Sequence, residues 1–344
     1  MSPLHKLLIV ILLPLLILLT PFFLLQIILR DFFVIRPLRA AAEAGGAGAQ
    51  YELACRYATG DGVAKNQAQA AQWFSKAAEQ GHPGAQRRFG DCCRQGLGVT
   101  RDDALAAQWY RKAAELGDAE AQELLGLAYQ EGSGLPQDRD QAVFWYRKAI
   151  EQGCAGAQYR LGICHEEGYG LPKDAAQAIE CFRKAAEQGH IEAQFRYAEC
   201  CRTGEGVPQD DTQAAAWYHK AAKQGHAGAQ LRYAECCRTG TGVPKSAAKA
   251  ATWCRKAARL GQHEAQHRLA NCFLAGDGVP KSRRQAVYWF RKAAEEGYAP
   301  SQFSLGLLYL QGDGVPQSAV QAAALFRKAA EQGNAEARYA LGRC

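Results

Sequence analysis

The sequence lacks the short motifs that would assign a chemistry to it. None of its 13 cysteines belongs to a C-x-x-C pair, which argues against the commonest cysteine zinc sites. No glycine loop follows a strand and opens a helix, so no phosphate-binding loop is predicted. The stretch "SAAK" at Ser246–Lys249 matches the S-x-x-K of penicillin-recognising enzymes, but K-T-G and S-D-N motifs are missing. Ser246 is instead predicted to cap a helix.

One stretch, "HEAQH" at His263–His267, fits the H-E-x-x-H pattern of zinc proteases. Its Ala-Gln pair, however, recurs along the whole chain, and Glu120, Glu192 and Glu336 occupy the same place as its glutamate. A third metal ligand is not evident. We therefore predict no catalytic residue, no metal and no cofactor, and a protein that is not an enzyme.

What the sequence has instead is a repeat of constant length. An Ala-Gln pair returns every 36 residues from Ala49 to Ala265, and Ser301-Gln302 and Ala337-Arg338 continue the series. The period predicts a partial ninth helix at 337–344 after eight complete repeats: 49–84, 85–120, 121–156, 157–192, 193–228, 229–264, 265–300 and 301–336. The repeats follow one another without insertion or deletion.

Each repeat carries the signals of two helices. A Gly-x-Gly turn, such as Gly132 and Gly134, ends the first helix because glycine accepts positive φ. A side chain suited to an N-cap precedes the second helix of every repeat: Asn66, Asp102, Asp138, Asp174, Asp210, Ser246, Ser282 and Ser318. Another glycine ends that second helix: Gly81, Gly117, Gly153, Gly189, Gly225, Gly261, Gly297 and Gly333.

All six tryptophans occupy one position of the second helix: Trp73, Trp109, Trp145, Trp217, Trp253 and Trp289. Six indoles in register are typical of a core, so we predict that they wedge each helix against the next hairpin; an aromatic ligand site is the alternative. One hairpin cannot bury its own apolar face, whereas stacked hairpins share a continuous core. The predicted fold is all-α: an α-solenoid of eight 36-residue helix-turn-helix repeats preceded by one transmembrane helix.

The repeat resembles a known family. The pattern A-x-A-Q-x-x-L-G-x-x-Y-x-x-G-x-G-V…A-x-x-W-x-x-K-A-A-E-Q-G, nearly complete in "AEAQELLGLAYQEGSGLPQDRDQAVFWYRKAIEQG" at 119–153, is similar to the Sel-1-like repeat, a relative of the tetratricopeptide repeat. The resemblance covers about 290 residues. It implies a right-handed superhelix of helical hairpins and a role as a scaffold or adaptor that binds other proteins. It does not identify a partner.

The N-terminus has a different composition. After a short tail at 1–6, residues Leu7–Leu29 form an uncharged run of 23 residues. At about 1.5 Å per residue, this run would cross a hydrocarbon core of about 30 Å. We predict a transmembrane helix or uncleaved signal anchor at 7–29, with a cleaved signal peptide as the alternative. Residues 30–48 are predicted to be a juxtamembrane segment and a degenerate capping helix.

Two features bear on the side of the membrane. Arg30, Arg36 and Arg39 follow the apolar run, which favours a cytoplasmic repeat domain by the positive-inside rule; an extracytoplasmic one is the alternative. Equivalent cysteines of successive repeats should lie about 10 Å apart, the packing distance of helices, too far for disulfides. We therefore interpret the cysteines as buried apolar residues in a reducing compartment.

Two neighbouring positions of the first helix suggest a groove for a partner, because in this architecture the first helices line the concave face. One position is often aromatic and the next is often arginine, with further arginines a turn or two along. The candidate partner-binding residues are Arg88, Arg94, Tyr159, Arg160, Phe195, Arg196, Arg202, Arg232, Arg238, Arg268 and Phe303. Such a groove would bind an acidic or phosphorylated protein segment. The alternative is a solvated face in which Glu199 and Glu235 pair with these arginines.

The sequence thus predicts a single-pass membrane protein whose repeats bind other proteins, in signalling or in the assembly of a membrane complex. An extracytoplasmic hydrolase, or an enzyme of cell-wall or β-lactam chemistry, is the first alternative. A nucleic-acid-binding solenoid is the second, since the formal net charge is +7. The Arg-Lys pairs of the second helices, such as Arg111-Lys112, account for this charge more simply as a solvated surface. A homo-oligomer formed through the C-terminal end is a further expectation.

Overall fold

The computed structural model describes residues 31–342, with side chains from residue 33 onward. A π-helical turn at Asp31–Ile35 leads into eighteen α-helices, and the described residues contain no strand. The helices are α1 (Arg36–Glu43), α2 (Ala47–Thr59), α3 (Gln67–Glu79), α4 (Pro83–Gln95), α5 (Asp103–Glu115), α6 (Ala119–Glu131), α7 (Arg139–Glu151), α8 (Ala155–Glu167), α9 (Ala175–Glu187), α10 (Ile191–Thr203), α11 (Asp211–Lys223), α12 (Ala227–Thr239), α13 (Ala247–Arg259), α14 (His263–Ala275), α15 (Arg283–Glu295), α16 (Ala299–Gln311), α17 (Ala319–Glu331) and α18 (Ala335–Leu341).

The chain divides into two compact units, Met1–Lys173 and Asp174–Cys344. Within each unit, every α-helix packs against the helix before it and the helix after it in sequence. The even-numbered helices from α2 onward are the first helices of the repeats, and the odd-numbered helices from α3 onward are the second. Each unit is therefore an all-α solenoid of stacked hairpins, as the sequence predicts.

The predicted N-caps form. In all eight second helices from α3 to α17, the side-chain oxygen of the residue before the helix accepts from the amide three residues on, as Asp138 does from Gln141 at 2.9 Å. Each such cap contributes about 1 kcal/mol to helix stability. Gly132 ends α6 with a φ of 70°, a left-handed conformation that favours glycine.

The Ala-Gln pair has a structural explanation. The alanine is fully buried in the six repeats from Ala85 to Ala265 and half-buried at Ala49, and the glutamine amide turns back onto the end of the preceding second helix. Gln122, for example, donates to the carbonyl oxygen of Ala114 at 3.0 Å, eight residues earlier. The same bond is made by Gln50, Gln86, Gln194, Gln230, Gln266 and Gln302. The glutamine therefore satisfies one of the carbonyls that a helix end leaves open.

The aromatic core lies one residue beyond the tryptophans. The rings at the next position are fully buried: Phe74, Tyr110, Tyr146, Phe182, Tyr218, Phe290 and Phe326. Only Trp289 is buried among the six tryptophans, at 8% exposed, and the other five are half-buried. Four of the half-buried indoles that were predicted to belong to the core, Trp73, Trp109, Trp145 and Trp253, pack against its buried residues and cover its edge. Lysine ammonium groups lie over five of the six indoles, such as Lys220 over Trp217 at 3.6 Å from the ring centre.

Helix α1 lies where the degenerate capping helix was predicted, and it packs against α2. Ala42 of α1 is fully buried and its carbonyl accepts from Gln50 at 3.0 Å, so α1 stands in for a second helix. The predicted span at 7–29 lies outside the described residues. Within residues 31–342, none of the helices has the length and apolar character needed to cross a membrane.

All twelve cysteines that the structure describes are free thiols, and eight of them are buried. Burial raises the pKa of the Cys92 thiol to about 11, so this thiol stays protonated and packs as an apolar group. The same holds for Cys236, whose pKa burial likewise raises to about 11.

Candidate protein-binding surface

In the second unit, the first helices α10, α12 and α14 carry a network of charges that joins each helix to the next. We call it the arginine network; its members are Glu199, Arg202, Arg232, Glu235, Arg238, Glu264 and Arg268. Four of the predicted partner-binding arginines belong to it. The network exists because one arginine position recurs every 36 residues beside a glutamate of the preceding repeat.

Glu199 is the centre of the first half of the network. Its carboxylate accepts a hydrogen bond from Arg202 one turn along α10, at 2.6 Å, and forms an ion pair with Arg232 of α12, at 3.2 Å. The hydroxyl of Tyr218 also donates to it, at 2.6 Å. Burial opposes ionisation of Glu199, but the tyrosine and the two arginines together lower its pKa below the usual range. This carboxylate is therefore charged at neutral pH.

Glu235 repeats the arrangement one repeat later. It accepts from Arg238 of the same helix and from Arg268 of α14, and Arg268 also donates to Glu264 at 2.8 Å. The hydrogen bond from Arg238 is the main reason why the pKa of Glu235 is lowered, against the effect of burial. The sequence anticipated pairing within one helix; the structure adds the arginine of the following repeat.

The predicted aromatic residues of this unit take part in contacts between repeats. Phe195 is half-buried, and its ring centre lies 4.5 Å from that of His226 at the start of the next first helix. The Arg196 guanidinium lies 5.4 Å from the ring centre of Phe182. Phe303 is half-buried against Phe326 at 5.7 Å. These half-buried rings therefore support the packing between helices.

In the first unit the predicted residues are spread more widely. Arg88 lies 3.8 Å from Asp91 and over the Phe74 ring at 5.8 Å. Arg160 reaches Glu123 at 4.0 Å, and the neighbouring Tyr159 is half-buried. Arg94 is half-buried too, and its Nε is a buried donor without a hydrogen-bond partner among the described residues. No network as regular as that of the second unit joins the described residues here.

Sequence reasoning missed two kinds of contact. Arg87, beside the predicted Arg88, makes the stronger pairs, with Asp118 at 3.1 Å and Glu120 at 2.6 Å. The second kind joins a buried tyrosine of the second helix to a carboxylate of the first, as Tyr110 joins Asp91 at 2.9 Å. A signal for it exists in the sequence, because tyrosine and acid stand 19 residues apart both here and at Tyr218.

The two apparent enzyme motifs have structural uses. His263 contacts Glu296 at 2.6 Å, whereas His267 contacts Ser301 at 3.0 Å, so the two histidines are engaged by different neighbours. Across residues 31–342, no three His, Cys, Asp or Glu side chains are grouped to hold a metal. Ser246 caps α13 by accepting from the Lys249 amide at 3.4 Å. Each of these side chains therefore has a role in the repeat.

The arginine network is suited to recognition by charge. Four arginines alternate with three glutamates along it, so both signs are displayed at a spacing set by the repeat. The side chains of Arg232 and Arg238 are 48% and 53% exposed, which leaves them accessible. A guanidinium carries five N–H donors, so pairing with one carboxylate leaves donors for a partner.

Comparison with known proteins places the repeat in a family. The family model described as Sel1 repeat matches eight consecutive segments: 47–82, 83–118, 119–154, 155–190, 191–226, 227–262, 263–298 and 299–334. Each segment begins with a first helix, two residues before the boundary predicted from the sequence. No protein with a curated description matches the chain.

Two solved structures are similar over most of this chain. The first is c5321, described as a protective antigen present in uropathogenic Escherichia coli strains displaying an SLR fold; it is 37% identical, with a TM-score of 0.75, over 90% of this chain and 66% of that one. This chain thus spans just under two thirds of the length of c5321. The second is a Sel1 repeat protein from Oxalobacter formigenes, 33% identical, with a TM-score of 0.61, over 90% of this chain and 89% of that one. The chain therefore belongs to the Sel1 repeat family, whose solenoids generally serve as scaffolds for protein–protein interaction.

Proposed function

We propose that this protein is a membrane-anchored scaffold without catalysis of its own, which binds a partner protein through the arginine network of α10, α12 and α14. The single observation behind this proposal is the repeated bridge from each first helix to the next, Arg232 to Glu199 and Arg268 to Glu235. Such a surface is held in place by its own pairs. A partner therefore meets arginines whose side chains have already lost much of their freedom.

The chemistry of the network indicates the partner. A carboxylate of the partner would accept from the donors that Arg232 and Arg238 keep free of Glu199 and Glu235, and an arginine or lysine of the partner would approach those glutamates. The favoured partner is therefore a segment with charges of both signs, acidic groups included, rather than a polyanion. This makes nucleic acid a poor fit, because phosphates would meet the ionised Glu199 and Glu235.

The anchor belongs to the same proposal. The 23 uncharged residues at 7–29 have the length of a membrane span, and they stand only a few residues before α1. A scaffold held this close to a bilayer would concentrate its partner at the membrane surface. The full-length protein should stay with membranes through alkaline carbonate extraction, whereas a chain that begins at residue 31 should be released. Lys65→Cys introduces an exposed thiol, and a membrane-impermeant maleimide applied to intact cells would show on which side of the membrane the repeats lie.

The binding surface is tested by reversing its charge. Partners are first identified by cross-linking the full-length protein in its own cells, and the affinity of the purified partner is then measured. Arg232→Glu together with Arg268→Glu should weaken binding at least about tenfold, because removal of paired interface arginines costs several kcal/mol. Circular dichroism would verify that this double variant keeps its helices.

The matched control reverses two exposed arginines of the second helices, Arg284→Glu and Arg327→Glu. It changes the net charge by the same amount and should leave affinity within about twofold. Equal losses in the two double variants would show that binding depends only on net charge. An undiminished affinity in the Arg232 and Arg268 variant would refute the arginine network as the binding surface.

A further inference from the structure

One repeat has no ring at the position that is aromatic in the others. Seven repeats place phenylalanine or tyrosine at the buried position that follows the tryptophan position, which holds Cys181 and Leu325 in two of them. Cys254 stands at that buried position in α13. A cavity of about 360 Å³ lies beside this cysteine. Its lining includes Glu235, Arg238, Cys254, Arg268, Asn271 and Cys272. Two of the lining side chains reach solvent, since those of Arg238 and Arg268 are 53% and 33% exposed.

The site that matches this cavity is filled in a repeat that has the aromatic ring. Four repeats earlier, Tyr110 occupies the position of Cys254, and the space bordered by Tyr110, Arg94 and Leu127 measures about 10 Å³. Arg94 corresponds to Arg238 in the repeat, and Leu127 corresponds to Asn271. The two sites therefore share their architecture and differ in the ring and in the Leu127 or Asn271 side chain. A cavity of about 360 Å³ is at the lower end of the size of ligand pockets, which suits one side chain.

The neighbouring repeat shows what the missing ring would contact. The sequence "YAECCRTG" occurs at 197–204 and again, unchanged, at 233–240. In the first copy, the buried Tyr218 donates its hydroxyl to Glu199 at 2.6 Å. In the second copy, Glu235 has the equivalent arginines but faces Cys254 in place of a tyrosine. The carboxylate that would accept a phenol is thus in position and ionised.

We propose that the cavity at Cys254 is a binding site for a tyrosine side chain of a partner protein, whose ring fills the gap and whose hydroxyl donates to Glu235. The inference rests on the proposed function, because it supplies the anchor residue of the segment that lies on the arginine network. Glu235 belongs both to that network and to the cavity lining. A phosphotyrosine fits poorly, since its negative charge would meet the carboxylate of Glu235. Buried aromatic anchors of this kind dominate the affinity of many protein interfaces.

Small phenols test the chemistry of the site. The full-length protein should bind one equivalent of p-cresol, the tyrosine side chain without its backbone, as measured by ligand-observed NMR. Toluene should bind at least about tenfold more weakly, because it cannot donate to the charged carboxylate. Tighter binding of p-tolyl phosphate than of p-cresol would overturn the proposal, and so would the absence of p-cresol binding.

Exchange of residues between the two matched repeats locates the site. Cys254→Tyr should fill the cavity with the chain's own ring and abolish p-cresol binding, and Cys254→Phe should do the same. Tyr218→Cys should open a matching cavity beside Glu199, so that the protein binds a second equivalent of p-cresol. Binding of p-cresol that persists in both Cys254 variants contradicts the proposal. A Tyr218→Cys protein that keeps its helices but binds a single equivalent contradicts it as well.

A random peptide library displayed on phage separates the two proposals. Peptides selected on the full-length protein should be enriched in one tyrosine and should lose binding to the Cys254→Tyr variant. Selected peptides without tyrosine, sensitive to Arg232→Glu and Arg268→Glu only, would retain the scaffold and overturn the tyrosine site. Binding of p-cresol without selection of any peptide would instead assign the cavity to a free phenol, and would count against a protein partner for both proposals.

Discussion

The hydroxyl of Tyr218 donates to the carboxylate of Glu199 at 2.6 Å, from a ring that is fully buried in the second unit. The bond is charge-assisted, since Glu199 is ionised, accepts a hydrogen bond from Arg202 and is ion-paired with Arg232. We expect Tyr218→Phe to lower the free energy of unfolding by about 1.5–3 kcal/mol, the range for hydrogen bonds to charged groups. Urea denaturation followed by circular dichroism would measure the change.

Tyr146→Phe is the control for this prediction. Tyr146 occupies the same repeat position and is also fully buried, but its hydroxyl donates to the neutral amide oxygen of Gln130 at 2.6 Å. Its loss should cost only about 1 kcal/mol. Similar costs for the two variants would mean that the charge of Glu199 adds nothing to the bond.

The buried glutamines make a second prediction. Gln122 donates to the Ala114 carbonyl at 3.0 Å, and its own oxygen accepts from Gln152 at 2.8 Å. Gln122→Met would leave that carbonyl and the Gln152 amide unpaired, so we expect a loss of about 1–3 kcal/mol in a chemical denaturation experiment. Gln86→Met should cost less, because among the described residues the buried Gln86 Oε1 has no partner to lose. A larger loss at Gln86 would argue against the carbonyl cap as the reason for the repeated glutamine.

The helices could be predicted from the sequence because their limits depend on local chemistry. An N-cap such as Asp138 acts on an amide three residues away, and a glycine such as Gly132 acts through its own φ, so neither needs tertiary information. The buried position was harder to predict. Trp217 and Tyr218 are adjacent and both repeat every 36 residues, and periodicity alone does not decide which of two neighbours points inward.

The candidate site could be predicted only in part for a related reason. The sequence identified Arg232 and Arg268, but their partners Glu199 and Glu235 lie 33 residues earlier, a separation that only the packing of hairpins brings into contact. The cavity at Cys254 exists because this repeat lacks the aromatic ring that the other repeats have at that position. It becomes visible when the residue after each tryptophan is compared across repeats, and its volume depends on how far the neighbouring helices close around the gap.

Close packing of helices predicts the cost of enlarging a glycine. A Cβ at Gly126 of α6 would lie 2.7 Å from the Tyr146 ring and 3.1 Å from the carbonyl oxygen of Ala142. We expect Gly126→Ala to destabilise the protein by about 1–3 kcal/mol, as overpacking does in well-filled cores. Gly48→Ala in α2 should instead stabilise it by about 0.4–1 kcal/mol, because nothing lies within 4 Å of the added methyl group. Thermal unfolding that gave the two variants the same sign would contradict this description of the Gly126–Tyr146 contact.

A buried histidine predicts how stability depends on pH. Burial lowers the pKa of His267, and the neighbouring Arg268 lowers it further against a smaller opposite effect of Glu264. The folded protein therefore holds the imidazole neutral at a pH where the unfolded chain, with a pKa of about 6.5, already binds a proton. This contribution to stability is complete above about pH 6.5 and is lost as the pH falls through the lowered pKa of the folded state.

Denaturation midpoints measured between pH 7.5 and 5, above the range in which most carboxylates titrate, should accordingly fall with pH, and His267→Gln should make the fall shallower. It should not remove it, because burial also lowers the pKa of His219, which lies against Tyr233 with 4.5 Å between ring centres. Only the double variant with His219→Gln should approach a flat profile. A slope unchanged by His267→Gln would contradict this prediction. It would mean that the folded protein tolerates a charged His267 beside Ser301, 3.0 Å away, and that other groups bind different numbers of protons in the folded and unfolded states.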